Sequence, residues 1–77
     1  MEIATAKEYF HLGLLSGARV RAPFVLHAGW TVEFSGTLGN ADPLLRTARR
    51  AVREFASADS ALSVCRDIGL RSVAVDL

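Results

Sequence analysis

The chain has 77 residues, 51% apolar and 22% charged, and nine lysines and arginines against eight acids leave a formal charge of +1. That length accommodates one domain, residues 1–77, and the apolar content excludes a disordered charged tail. The near-neutral balance offers no overall field for nucleic acid, the single cysteine excludes an internal disulfide or Cys-cluster zinc site, and no apolar run reaches the roughly 20 residues that span a bilayer.

Glu2, Lys7 and Glu8 place charge ahead of any apolar stretch, which does not fit a secretory signal and points to a cytoplasmic protein. Thr5 followed by Glu8 is a T-x-x-E capping box, predicting a helix from about Ala6 to Leu15 that ends at Gly17. Ile3, Ala6, Phe10, Gly13 and Leu14 share one stripe at helical spacing and are expected to face the core. Leu12 and Leu15 fall off that stripe. With Tyr9, they form the candidate partner or dimer surface, because a chain this small cannot bury half its residues alone.

From Ala18 the period changes to two. Val20, Ala22, Phe24 and Leu26 alternate with Arg19, Arg21, Pro23 and Val25, as in a half-buried strand, and Pro23 places it at an edge or bulge. Ala28-Gly29 reads as a tight turn into a second strand bearing Trp30, Val32 and Phe34 on one face. Gly36 to Pro43 reads as a loop. Two readings stay open beyond it. Asp42-Pro43 can open an amphipathic helix, with Leu44, Leu45, Ala48, Ala51, Val52 and Phe55 opposite Arg46, Arg49, Arg50 and Arg53. The preferred reading is a second hairpin, Leu44–Ala48 and Ala51–Ala56, turning at Arg49-Arg50.

Ser57 begins a short helix with Ala58, Ala61, Leu62, Cys65 and Ile68 as its buried stripe, closed by Gly69 with Leu70 folding back. Arg71 to Leu77 alternates as a last strand, Val73, Val75 and Leu77 against Ser72, Ala74 and Asp76. The expected fold is α+β: a first helix, an antiparallel sheet of about five strands made from two hairpins and the C-terminal strand, and a second helix before that last strand. The alternative is αββααβ, with residues 43–56 helical.

Signals for chemistry are sparse. His11 and His27 are far apart with one cysteine available, short of the four ligands a zinc site wants. Cys65 sits on an apolar stripe with no partner motif for a nucleophile, and Gly36 and Gly39 lack the lysine of a phosphate loop. Neither an enzyme activity, a cofactor nor a small-molecule substrate is expected. Arginine is the compositional signal, eight of the nine basic residues. Arg46, Arg49, Arg50 and Arg53 cluster, with Arg19 and Arg21 on the preceding strand, as candidate polar or nucleic-acid contacts.

The ordered phrases Leu45-Arg46-Thr47-Ala48-Arg49, Val52-Arg53-Glu54-Phe55-Ala56-Ser57, Asp59-Ser60-Ala61-Leu62 and Ile68-Gly69, with Tyr9-Phe10 to Leu14-Leu15 before them, carry a resemblance. They resemble the small ParC-type accessory proteins encoded beside partition genes on plasmids and integrative conjugative elements. In such sequences a glycine often stands near Arg50, which suits a β-turn, and here it is absent. The resemblance implies a non-enzymatic interaction module of a mobile genetic element, accessory to partition or maintenance, binding a protein partner or itself as a homodimer. One alternative is a DNA-binding regulator using Arg46 to Arg53. Another is a small inhibitor of a host or defence complex, in the manner of anti-CRISPR proteins.

Overall fold

A computed structural model of the chain describes residues 1–25 and 28–77. Along them run α1 (Ile3–His11), β1 (Leu15–Arg21), β2 (Thr31–Gly36), α2 (Ala58–Ile68) and β3 (Val73–Asp76). The α+β class is as expected, but the sheet has three strands in the order β2-β1-β3. It is also mixed, since β1 pairs antiparallel with β2 and parallel with β3. The five-stranded antiparallel sheet is thus corrected. Hydrophobic period tells which face a side chain takes and is silent on strand direction. Here α2 supplies the long connection that lets the chain re-enter parallel to β1.

The first helix begins at Ile3 rather than Ala6, and Thr5 lies inside it, so the capping box does not form. Glu2 is the N-cap and makes no side-chain cap bond. The entry is held instead by Met1, which is buried and whose carbonyl accepts from the Arg46 amide at 2.8 Å. The helix stops at Gly13, not Gly17. Gly13 has φ +77°, and the Leu14 amide reaches back to the Tyr9 carbonyl at 2.9 Å. This is the left-handed ending that glycine permits.

Stopping early frees Leu15 to open β1, and a bulge then resets the register. Leu15 pairs with Gly36 and Gly17 with Ser35, so Ser16 is the extra residue. A bulge changes the side to which later residues point. Leu15, Ala18 and Val20 therefore all bury, although the first two are three apart. The strand ends at Arg21, before Pro23, and β2 starts at Thr31, so Ala28-Gly29 is not a tight hairpin turn. Trp30 pairs with Phe55 instead, and the Gly29 amide donates to the Glu54 carboxylate. The expectation that Leu26 continues the strand lies outside the described residues, as does His27.

Residues 44–56 are not helical, and they are not two full strands either. They touch the outer edge of β2 with Leu44 opposite Glu33, and the residue just before it with Phe55 opposite Trp30, and a bridge between Arg46 and Val52 closes a small hairpin. Backbone demand explains the choice. The Leu45 amide donates to the Val32 carbonyl at 2.9 Å and the Phe34 amide to the Pro43 carbonyl at 2.7 Å. A helix over 43–56 would bond the Pro43 carbonyl internally, leave the Leu45 amide orphaned in its first turn and leave the β2 edge bare. Asp42 caps a turn, not a helix, accepting from the Leu44 amide at 3.0 Å.

At the hairpin tip Arg50 has φ +67°, the one non-glycine among the described residues in that region. Left-handed backbone costs an L-residue about 1–2 kcal/mol. We therefore expect Arg50→Gly to raise stability by about 1 kcal/mol, net of the entropy glycine adds to the unfolded chain. Urea midpoints check this. A fall instead of a rise would show that the arginine side chain itself holds the tip.

The second helix forms as the sequence indicates. Ser57 accepts from the Ser60 amide at 3.2 Å, and Ala61, Cys65 and Ile68 are buried. Gly69 (φ +121°) closes it, with the Leu70 amide bonding the Cys65 carbonyl at 3.1 Å and Leu70 buried. Both helices lie against the sheet, α1 touching β1 and α2 touching β1 and β3. The core beneath them is centred on the fully buried Val20, Val32, Leu45 and Cys65. The opposite face of the sheet carries Arg19, Arg21, Glu33 and Asp76 in register.

Candidate interaction surfaces

The arginine hairpin places Arg49 and Arg50 at its exposed tip, as the hairpin reading expected. Below them, Arg46 is paired with the Asp42 carboxylate and also donates to the Arg50 carbonyl at 3.0 Å. The Arg53 guanidinium stacks 5.4 Å from the centre of the Phe55 ring. These two side chains thus stiffen the base of the hairpin. Arg49 and Arg50 have no side-chain partner among the described residues.

Arg19 and Arg21 do not join this cluster. They lie on β1, with β2 between them and the hairpin, and each meets an acid: Arg19 with Asp76 and Arg21 with Glu33, both at 3.0 Å. Half-exposed pairs of this kind contribute about 0–1 kcal/mol, and they leave the open face of the sheet electrically balanced.

The Arg46 guanidinium and the Leu44 amide beside Asp42 hold its carboxyl below the usual aspartate range. A carboxyl lowered on folding adds stability that is present above its unfolded pKa and is lost as pH falls through the folded one. Unfolding midpoints followed into acid should therefore decline past the ordinary aspartate range. In Asp42→Asn that part of the decline should be missing. Parallel curves for the two proteins would show that the pair contributes nothing.

The expected patch of Tyr9, Leu12 and Leu15 does not exist as one surface. Leu15 is only 7% exposed and belongs to the core, because it opens β1 instead of ending α1. Tyr9 is half-buried against that core, and Leu12 alone stands out, at 62%. Phe10, expected to face the core, is also partly exposed on α1, and the other exposed large apolar side chains gather elsewhere. Phe24 at 92%, Val25 at 68%, Val75 at 40% and the fully exposed Leu77 lie on two neighbouring segments, the stretch after β1 and the end of β3. Phe24, Val75 and Leu77 line an open cleft with Arg21, Ala22, Pro23 and Asp76.

This cleft adjoins a bare sheet edge. β3 is the outermost strand on its side, and among the described residues nothing pairs with its outer edge. The Asp76 carbonyl accepts from the Ala22 amide at 2.9 Å on the β1 side. Alternate residues in a strand turn their backbone groups to opposite edges, so Val73 and Val75 direct theirs away from the sheet. Sequence reasoning placed Phe24 on a buried strand face. The signal against that was Phe24-Val25, two adjacent large apolar residues just after Pro23, which no single strand face can bury together.

Cys65 is buried, and desolvation pushes its thiol up, so it stays protonated and inert in the core. His11 is exposed on α1. No group of three or more His, Cys, Asp or Glu among the described residues is placed to hold a metal ion, and none of the described helices is long and apolar enough to cross a membrane. No family model, curated protein or solved structure matches this chain.

Proposed function

We propose that this protein is a non-enzymatic interaction module that holds another protein chain at the open end of its sheet, within the partition or maintenance apparatus of a mobile genetic element. The observation that carries the reading is the coincidence of exposed Phe24, Val25, Val75 and Leu77 with an edge of β3 that no described residue pairs with. Apolar patches beside a free edge suit strand addition, in which backbone bonds give affinity and neighbouring side chains give specificity. The setting comes from the phrases between Leu45 and Gly69 that resemble partition-associated proteins.

A photo-reactive amino acid at position 24, expressed in cells that carry the gene, tests the reading. Protein adducts formed there and lost in a Val75→Lys, Leu77→Lys background support it. If residue 24 captures no protein while the same group at position 49 does, the docking surface is the hairpin and this reading fails.

A second reading, direct DNA contact, is favoured by one observation: the hairpin projects Arg49 and Arg50 without acidic partners. Paired arginines on a β-turn fit a minor groove. Binding to duplex DNA should then weaken steeply with salt and vanish in Arg49→Ala, Arg50→Ala. Salt-insensitive or unaltered binding in that variant would remove DNA as the hairpin's ligand.

A further inference from the structure

The two outer edges of the sheet are treated differently by this chain. The β2 edge is covered by Leu44–Leu45 and Phe55. Among the described residues the β3 edge is left bare, and Val73 to Val75 contain none of the lysines, prolines or bulges with which proteins usually blunt such an edge. Resting on the interaction-module reading above, we infer that the occupant of this edge is the β3 strand of a second copy of the same chain, running antiparallel about a two-fold axis at Ala74.

The register follows from three constraints. A two-fold axis perpendicular to a sheet pairs residues that point to the same face, so odd-numbered positions must meet odd ones. The outward-facing backbone groups belong to Val73 and Val75, and an axis at Ala74 sets Val73 of each copy opposite Val75 of the other. Both hydrogen-bonded pairs then form within the four residues of the strand.

Side-chain chemistry is also self-complementary in this register. The two valine pairs stack on the helix side of the sheet, a favourable cross-strand combination. On the other side Ala74 meets Ala74, and Asp76 meets Ser72, so no like charges are opposed. Asp76 keeps its 3.0 Å pairing with Arg19, and with Arg21 and Glu33 that face stays neutral across the seam. The result is one continuous six-stranded sheet, with Leu77 and Phe24 of each copy flanking the joint.

Light scattering over a wide concentration range should give a mass approaching twice that of one chain. Amide exchange at Val73 and Val75 should slow as the dimer forms. Val75→Pro removes an outward donor and no β1 bond, so it should be monomeric with its fold retained. Ala74→Asp and Ala74→Lys provide the register test, since position 74 faces itself only with the axis there. Each should be monomeric alone, and an equal mixture should recover the dimer.

A folded monomer at every concentration overturns the inference. So does a dimer in which the Val73 and Val75 amides exchange freely, or one that Ala74→Asp leaves intact. Capture of a different protein at position 24 by such a monomer would leave the interaction module standing with another occupant. Capture of none would remove both.

Discussion

Leu45→Ala is expected to cost about 2–5 kcal/mol, the range for truncating a buried leucine where the surroundings relax only partly. Leu45 is completely buried in the core formed with Val20, Val32 and Cys65. Its backbone is pinned on both sides, its amide to the Val32 carbonyl and its carbonyl to the Arg53 amide, each at 2.9 Å. The segment therefore cannot move inward to fill the space. A chain of this length has a total stability of about 4–12 kcal/mol, so one methyl-for-isobutyl exchange removes a large share of it. Urea unfolding should show the midpoint falling with the slope preserved. A loss under about 1 kcal/mol would mean that residues 44–56 collapse onto the cavity, against the picture of a doubly anchored segment.

Gly36→Ala is expected to be as damaging for a different reason. A Cβ there would lie 2.1 Å from the Leu14 carbonyl oxygen, and φ is +149°. That oxygen already accepts from the Thr37 amide at 2.8 Å, so relief requires opening the start of the β1–β2 ladder. Two other glycines serve as controls. At Gly69 (φ +121°) the Cβ would meet the Phe10 ring at 2.5 Å, and that ring is a partly exposed side chain able to swing away. At Gly39 (φ +60°) nothing lies within 4 Å.

Backbone strain alone sets the cost at Gly39, about 1–2 kcal/mol. The expected order of destabilisation is Gly36→Ala above Gly69→Ala above Gly39→Ala, with the first at about 3 kcal/mol or more. Unfolding midpoints of the three variants, measured together, decide it. Equal losses would show that backbone conformation matters here and the Leu14 contact does not.

How far the residues announced the structure depends on the element. The α2 segment was fully legible, because Ser57, the Ala61-Cys65-Ile68 stripe and Gly69-Leu70 are local signals that agree with one another. Alternation located β2 and β3. At the α1–β1 junction the same reasoning misplaced Leu15, since T-x-x-E looks like a cap and the bulge at Ser16 shifts the period without any compositional mark. That one error moved the expected patch to the first helix.

Within the candidate surfaces, the exposure of Arg49 and Arg50 was readable from the turn. The pairing of Arg19 and Arg21 with acids was not, because their partners come from other strands, and that of Arg46 with the nearby Asp42 depends on a turn the sequence left open. In each case the ion pair joins residues brought together by strand register or by a tight turn.

The amino-acid order by itself determined the α+β class, the second helix, the two-residue period of the strands and the buried character of Cys65. These depend on neighbours within a few positions, where periodicity and capping act. Tertiary structure alone decided that β3 runs parallel to β1, that residues 44–56 serve the β2 edge instead of forming a helix, and that the greasy surface lies at Phe24, Val75 and Leu77. Those outcomes turn on which distant backbone group each amide finds. Residues 44–56 are apolar enough for either structure, and an unsatisfied edge of β2 tipped the balance.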